Sequence, residues 1–496
     1  MTRLQVSLSV SLVASFCFLL GLGCRQEAPE PIVAPTPPTG DRLVRGLTIE
    51  SVVLNQAVAQ ELYRDEEGFE ASGVPVVVGR PGLIRVHVRT QSSWQSRRVR
   101  GELSLSSESL GGTTTWEEEL EIEEDSSSED FGSTFNFVFG AEDLAVDSRL
   151  AVRLWEAEEP PAAAGNVEGA AWPELGSAPL HATDWGGTVR VKLLPFIYLP
   201  DGSDRLPDTS PEQIQILTDN LMRLYPLRSF EVEVLEPYPS DIEMLSDGTG
   251  FSDLLSLVSD LREEWEIPFD TAVFGMVAPA VTQQDFCQFG CTAGLAYRVA
   301  SPRNSKFKSG VGLAYEGEGA ARTFAHELGH IHDRGHAPCG GAGNADEDFP
   351  HAGGGIGVEG WDILEEEWID PQEHDDVMGY CKPDWVSDYT FTALHQRISA
   401  VEGLREERDS LERSAWLTFQ VDGAGAARRP RVQEFGFVPE GPPLTAELFD
   451  EDGTSLGRTE ASLMRYGDLP GGVVVLPAPS SAVSAVQLEG YAPLSL

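Results

Sequence analysis

The chain has 496 residues, of which 41% are hydrophobic, so it is long enough for roughly two to four domains with ordinary globular cores. Its formal net charge of -45 at pH 7 argues against nucleic acid as a partner, because phosphate groups would be repelled. A balance this acidic is typical of a well-solvated surface, and we expect a monomer.

The first 23 residues predict an export signal, with a short basic start followed by an apolar run, Leu4–Leu22. Cys24 follows small residues at the end of this run, which resembles a bacterial lipobox whose cysteine is acylated. Glycine at the third position before the cysteine is atypical, so ordinary secretion stays an alternative. Residues 24–41 are proline-rich and predict an extended tether. We expect an exported protein, held by lipid at the outer membrane or cell surface of a bacterium, with no spanning segment.

Residues 42–158 alternate apolar and polar side chains and are punctuated by glycine and serine, which predicts an antiparallel β-sandwich. His87 falls on the polar face of one such run and is expected at the surface. The acidic run Glu117–Glu124 partly alternates, so it predicts a strand with a charged outer face. Residues 159–186 are rich in proline, alanine and glycine and predict a linker.

Residues 187–413 change to an order of strands and helices that predicts an α/β domain, with Pro211 after Ser210 marking one helix start. Residues 414–496 become strand-like again and predict a small C-terminal β-domain. Since neither β-domain carries a chemical motif, both are expected to be spacers or binding accessories. The predicted α/β elements are strand Val189–Tyr198, helix Pro211–Tyr225, strand Phe230–Leu235, helix Asp253–Trp265, strand Thr271–Val277, short strands at Gly294–Val299 and Gly312–Tyr315, helix Gly319–Ile331 and a helix from Ser387 to about Leu411.

The run from His326 to His330 reads H-E-x-x-H inside the helical segment, and residues four apart share one helix face. His336 lies six residues further on, far enough for the chain to leave the helix and curl back. Three neutral imidazoles with one open position predict a catalytic zinc site and not a closed structural one. Glu327, beside the first histidine, can take a proton from water.

Together with the Met-Gly turn at 376–380, this motif resembles the metzincin metallopeptidases, over about residues 190–400. The resemblance implies a mixed sheet with a zinc helix, His326, His330 and His336 as zinc ligands, and Glu327 as general base. It also implies that Met378 underlies the metal.

By the same resemblance, Tyr380 would hydrogen-bond the tetrahedral intermediate. The alternative is that Tyr380 is an ordinary tyrosine of the hydrophobic core. The strand at 294–297 would pair with an extended substrate. The stretches at 336–341 and 385–389 are loosely similar to secreted bacterial enzymes related to mucin-cleaving metzincins. A protein or glycoprotein substrate is therefore expected.

One position departs from the family pattern, since Asp333 stands where the family has glycine. Aspartate is among the few other residues that visit the left-handed region, so we expect the turn to survive with help from Gly335. His332 points to a different helical face from His330 and is expected at the surface or behind the ligands. An alternative reading takes the third ligand from a glutamate, at Glu365, Glu366 or Glu367.

Four cysteines remain after the predicted signal and lipid site, an even number suited to disulfides in an oxidising compartment. We pair Cys287 with Cys291 and Cys339 with Cys381. A four-cysteine zinc knuckle is disfavoured because C-x-x-C spacing is missing.

The acidic insert Ala345–His351 has two interpretations. Its carboxylates could bind calcium, although their spacing matches no calcium-loop motif, or the loop could form one wall of the cleft.

The sequence thus predicts a surface-anchored zinc metalloendopeptidase. The rival hypothesis is a non-catalytic lipoprotein that binds glycans or proteins and keeps zinc for structure. Against that rival, the motif supplies only three ligands and leaves Glu327 without a structural use.

Overall fold

The computed structural model describes residues 42–66, 69–162, 164–185, 187–407, 411–440, 443–480, 483–489 and 493–495. The predicted export signal, the proline-rich tether and Cys24 lie outside these residues. Within the described ranges, no helix is both long and apolar enough to cross a membrane.

Two antiparallel sheets face each other in the N-terminal part, as a sandwich requires. One has the strand order β2-β1-β3-β6, and the other has the order β5-β4-β7-β8, with β9 also paired to β7. Val86, Leu103 and Phe137 are among the apolar side chains buried between them. The strands are β1 Leu47–Asn55, β2 Ala59–Arg64, β3 Gly82–Thr90, β4 Arg97–Ser107, β5 Gly112–Ile122, β6 Phe135–Phe139, β7 Arg149–Glu156, β8 Ala171–Trp172 and β9 Ala178–Pro179.

Residues 117–122 of the acidic run form the second half of β5. Along residues 117–121 exposed and half-buried side chains alternate, as the sequence predicted. Residues 159–186, which the sequence predicted as a linker, also form part of the sandwich. Both β8 and β9 lie within it, and Ala170 and Leu180 are buried in the sandwich core.

The expectation that His87 lies at the surface is wrong, because its side chain is only 8% exposed. The outer face of its sheet is covered by a later part of the chain. Arg85 forms a 2.7 Å ion pair with Glu359, and Phe131 stacks on Trp361 at 5.9 Å. Alternation along a strand shows which side chains share a face but not whether another element covers that face.

The central part contains a mixed sheet of order β11-β10-β13-β15-β14, with β12 paired to the end of β10. All neighbours on this path are parallel except β14, which runs antiparallel at the edge. The elements here are β10 Thr188–Tyr198, α1 Pro211–Leu224, β11 Ser229–Val234, β12 Tyr238–Ser240, α2 Phe251–Glu264, β13 Thr271–Val277, α3 Gln283–Phe286, β14 Gly294–Ala296, β15 Ser309–Leu313, α4 Glu318–Ile331, β16 Gly360–Asp362, β17 Glu367–Ile369, β18 Asp375–Asp376, β19 Asp384–Trp385 and α5 Asp388–Glu407.

The two faces of this sheet have separate cores, which explains why β13 is buried along its whole length. Residues of α1, α4 and α5, such as Leu221, Phe324 and Phe391, pack on one face. Residues of α2, such as Leu255, pack on the other. Helix α1 begins after Ser210, whose side chain accepts a hydrogen bond from the Gln213 amide at 3.3 Å.

The C-terminal part is a seven-stranded antiparallel sheet of order β21-β20-β24-β23-β22-β25-β26. Met464, Tyr466 and Val475 from this sheet share the core on the α2 side of the central sheet. The described chain is therefore a mostly β protein of several sheets. The strands are β20 Arg413–Asp422, β21 Ala427–Gly436, β22 Leu444–Phe449, β23 Ser455–Arg465, β24 Gly471–Pro477, β25 Ala485–Leu488 and β26 Leu494–Ser495.

Candidate metal centre

Helix α4 carries His326 and His330 on one buried face. The helix is fixed to α1 by a 2.6 Å hydrogen bond from the Tyr225 hydroxyl to the Ala325 carbonyl. Asp333, just past its end, has a φ of 66°, so it adopts the left-handed conformation that the sequence predicted for this position. The Arg298 side chain donates a hydrogen bond to its carboxylate at 3.2 Å.

The turn at Asp333 brings His336 back beside the helix. The Nε2 atoms of His326 and His330 are 3.2 Å apart, and the His336 ring centroid lies 4.8 Å from that of His330. All three residues are nearly inaccessible to solvent. The structure therefore brings together the three histidines that the sequence selected.

Each of these rings is oriented by a backbone carbonyl at its Nδ1 atom. His326 pairs with Val377 O at 2.9 Å, His330 with Arg334 O at 2.7 Å, and His336 with Gly343 O at 2.6 Å. Because a carbonyl can only accept, each Nδ1 carries the proton and each Nε2 keeps a lone pair. This second-sphere arrangement is typical of metal-ligating histidines.

A fourth group completes the cluster. Asp468, from the connection between β23 and β24, places Oδ1 3.2 Å from His336 Nε2 and 3.4 Å from His326 Nε2, and Oδ2 3.5 Å from His330 Nε2. The four ligand atoms all lie within 4.8 Å of one another and could hold a metal ion. The sequence analysis missed Asp468, which is 132 residues from His336 and sits in an ordinary turn sequence.

These groups fit a metal ion for an electrostatic reason. Three imidazole lone pairs and a carboxylate converge on one small volume, where they repel one another unless a cation lies among them. Asp468 Oδ2 is buried and has no hydrogen-bond partner among the described residues, so a ligand position on it is free.

Glu327 is also buried, at the side of the histidine cluster that faces β14. Its Oε2 atom lacks a hydrogen-bond partner within the described part of the chain. Burial, and then the negative charge of Asp468, raise the pKa of Glu327 well above its usual range. A side chain on residue 294 would place its Cβ 2.3 Å from Glu327 Oε1, so only glycine leaves room for this carboxylate under β14.

The turn at residues 376–380 packs against helix α4 beside the histidine cluster. Asp376 Oδ1 accepts a 2.8 Å hydrogen bond from the Met378 amide, and the buried Met378 side chain lies against Gly329 of α4. The Tyr380 hydroxyl donates to Asp468 Oδ1 at 2.7 Å and lies 3.3 Å from His336 Nε2. Tyr380 is therefore at the cluster and not in the core.

His332, Glu365 and Asp346 lie outside the cluster. His332 is not at the surface but buried, because its ring packs edge-on against Tyr225 and its Nδ1 bonds to Leu328 O at 2.7 Å. Glu365, the first glutamate of the alternative ligand set, pairs with Arg223 instead. Asp346 accepts a hydrogen bond from Tyr389, and no cluster of acidic groups suited to calcium appears there among the described residues.

Both predicted disulfides are present, between Cys287 and Cys291 and between Cys339 and Cys381. The second joins the loop after His336 to the residue after Tyr380, so it connects two segments of the site. Disulfides are typical of proteins that fold outside the reducing cytosol.

No protein-family model matches this chain, and a search of curated proteins finds no match either. Its function must therefore be inferred from its own residues.

Proposed function

We propose that this chain is a zinc-dependent metalloendopeptidase of the metzincin type. The observation that carries the proposal is the convergence of three Nδ1-protonated histidines with a buried glutamate that makes no structural hydrogen bond through Oε2. Three imidazoles are the ligand set of several catalytic zinc sites. Zinc held by them would supply a Lewis acid and lower the pKa of water.

The chain's own groups then carry the proton transfers. Glu327 accepts the proton of the water that attacks the peptide carbonyl carbon, and it returns that proton to the amide nitrogen as the C–N bond breaks. Tyr380, whose hydroxyl already reaches the cluster, would donate a hydrogen bond to the oxygen on which negative charge develops.

Strand β14 offers the surface for the substrate backbone. It is the edge of the central sheet, and Gly294 at its start lies against Glu327. A peptide added in extended form along this edge would bring a backbone carbonyl towards the histidine cluster. We propose extracellular proteins or glycoproteins as substrates, because the sequence predicts export and acylation of Cys24.

The test is a casein and mucin digest with zinc-loaded protein, with and without a chelator. Because Asp468 lies on the cluster, both the natural chain and an Asp468→Ala variant are assayed. Glu327→Gln should lower hydrolysis at least about a hundredfold in whichever background is active, with zinc content unchanged. Glu318→Gln, on the exposed first turn of the same helix, is the matched control. Zinc-independent hydrolysis, or none in either background, would contradict the proposal.

A second candidate function is favoured by Asp468 itself. A zinc ion with four protein ligands is a closed, structural site, and the chain would then bind glycans or proteins without cleaving them. The sequence-based objection that only three ligands exist does not hold, since Asp468 lies where it could supply a fourth. This alternative predicts that neither Glu327→Gln nor Asp468→Ala produces or removes any hydrolysis.

A further inference from the structure

We propose that the segment Arg465–Asp468, which leads out of β23, closes the metal centre from within the chain. Asp468 would be the fourth metal ligand, and the residues before it would occupy the edge of β14. The consequence for catalysis rests on the proposed function: the chain as folded is latent, and the segment must leave before a substrate can bind.

The segment pairs, as an added strand would, with the last residue of β14 and with the two residues that follow it. The Gly467 amide donates to Ala296 O at 2.9 Å, and the Arg298 amide donates to Arg465 O at 2.9 Å. Between them, Tyr297 and Tyr466 form an antiparallel bridge. Since β15 pairs with the other edge of β14, the segment lies on the edge that an incoming peptide would use, at its Ala296 end.

Position 467 shows how closely the segment covers the histidines. A Cβ on Gly467 would lie 2.3 Å from His330 Cδ2, so the backbone passes directly over a ligand ring. A second chain cannot occupy the same space. Substrate and segment are therefore mutually exclusive along this part of the cleft.

The Asp468 carboxylate lies where a fourth metal ligand would lie. Its Oδ1 and Oδ2 atoms lie within 3.5 Å of the three Nε2 atoms, and the Tyr380 hydroxyl donates to Oδ1. Tyr380 is thereby engaged by Asp468, so the segment occupies the metal position and the proposed hydrogen-bond donor together.

The segment is also anchored at its start. Met464 and Tyr466 are buried in the core that they share with Tyr297 and Phe307. Rotation of the Asp468 side chain alone would leave the backbone of 465–467 on β14. Full opening therefore requires the β23–β24 connection to detach from the edge.

The first test measures access to the metal and does not depend on peptidase activity. The full chain is loaded with Co²⁺, and acetohydroxamate, which needs a free coordination position, is titrated by visible absorption. A tethered carboxylate competes at an effective concentration of about millimolar or higher, so Asp468→Ala should bind the probe at least about tenfold more tightly than the natural chain. Asp452→Asn, an exposed aspartate on the turn between β22 and β23, should bind it like the natural chain.

A second variant tests the strand pairing with the carboxylate left in place. Gly467→Ala cannot fit against His330, so it should displace the segment and also tighten acetohydroxamate binding. Circular dichroism checks folding of each variant, and Asp468→Asn replaces Asp468→Ala if the latter does not fold. Equal probe affinity in the natural chain and in the folded variants would overturn the inference.

Casein hydrolysis then separates the two proposals. Tighter probe binding in Asp468→Ala without hydrolysis in any variant would support the closure and refute the endopeptidase. Equal hydrolysis by the natural chain and Asp468→Ala would support the endopeptidase and refute the closure. Hydrolysis that rises at least about tenfold in Asp468→Ala supports both.

Discussion

At the scale of single residues, the candidate metal centre depends on the two nitrogens of each imidazole having different partners. Nδ1 bonds to a backbone carbonyl from a loop or turn, which leaves Nε2 able to bind a metal ion. Asp333 completes the arrangement by turning the chain at the end of α4 with a positive φ. An aspartate can do this where the metzincin motif that the sequence resembles has glycine, because its short polar side chain tolerates the left-handed region.

Removal of one ring should abolish tight metal binding. His336→Ala deletes one of three imidazole ligands, so we expect zinc affinity to fall at least about a hundredfold. Zinc content after dialysis against a weak chelator measures this. His374→Ala is the control, since His374 lies outside the cluster, where its Nδ1 bonds to Asp370 O. A full equivalent of tightly bound zinc in His336→Ala would contradict the assignment of His336 as a ligand.

His87 should make the sandwich sensitive to acid. Burial, and then the charges of Arg85 and Arg64, lower the pKa of His87 from 6.5 to about 4. Between those pH values the unfolded chain takes up a proton that the folded chain does not, so stability falls as the pH drops from 6.5 towards 4. The full loss is about 3 kcal/mol.

The check is calorimetric unfolding at pH 7 and pH 4.5. His87→Gln should reduce the difference between the two pH values. His181→Asn removes an exposed histidine and should leave that difference unchanged. An identical pH dependence in His87→Gln and the natural chain would rule out this source of acid sensitivity.

At the scale of elements, the loops around the cluster depend on a covalent link. The Cys339–Cys381 disulfide spans 42 residues and joins the loop that orients His336 to the end of the turn beneath α4. Ala337 N also donates to Met378 O at 3.1 Å, so the two segments are hydrogen-bonded as well.

Loss of this disulfide should destabilise the central part of the chain. In the chain-entropy account, a closed loop of this length contributes about 4 kcal/mol to the free energy of unfolding. We expect the Cys339→Ala, Cys381→Ala double variant to unfold at lower temperature and to bind zinc more weakly. The matched control is Cys287→Ala with Cys291→Ala, since that loop spans only 4 residues. A smaller effect at 339 and 381 than at 287 and 291 would contradict the prediction.

At the scale of the whole molecule, the N-terminal sandwich is joined to the central part by a buried ion pair. Arg85 is 1% exposed and its guanidinium contacts the carboxylate of Glu359. Arg85→Met should cost about 3 kcal/mol, because it leaves Glu359 partly buried without its partner. The double variant Arg85→Met, Glu359→Gln should recover most of that loss in urea unfolding. Equal destabilisation by the single and double variants would mean that the lost packing of Arg85 and its lost hydrogen bonds to Thr134 and Ser128, and not the unpaired charge, are responsible.

The sequence predicted the bounds of strands and helices well where those bounds depend on neighbouring residues in the chain. Strand β13, Thr271–Val277, has the bounds that the sequence predicted. Helices α1, α2 and α4 begin within two residues of their predicted first residues. These bounds are set by capping residues, prolines and apolar spacing, which all lie within a few residues of the ends of the element. The short strands were less accurate, since β15 begins at Ser309 and not at Gly312, because its register is set by pairing with β13.

The sequence by itself predicted the three histidines and Glu327, because helical spacing is read along the chain. It also predicted both disulfide pairs, from an even number of cysteines and the closeness of Cys287 to Cys291. Only the tertiary structure decided that His87 and His332 are buried and that Asp468 joins the cluster. Burial depends on which element covers a face, and a ligand from a distant turn depends on how two sheets pack. Neither leaves a periodic signal in the sequence, since both arise from contacts between residues more than a hundred positions apart.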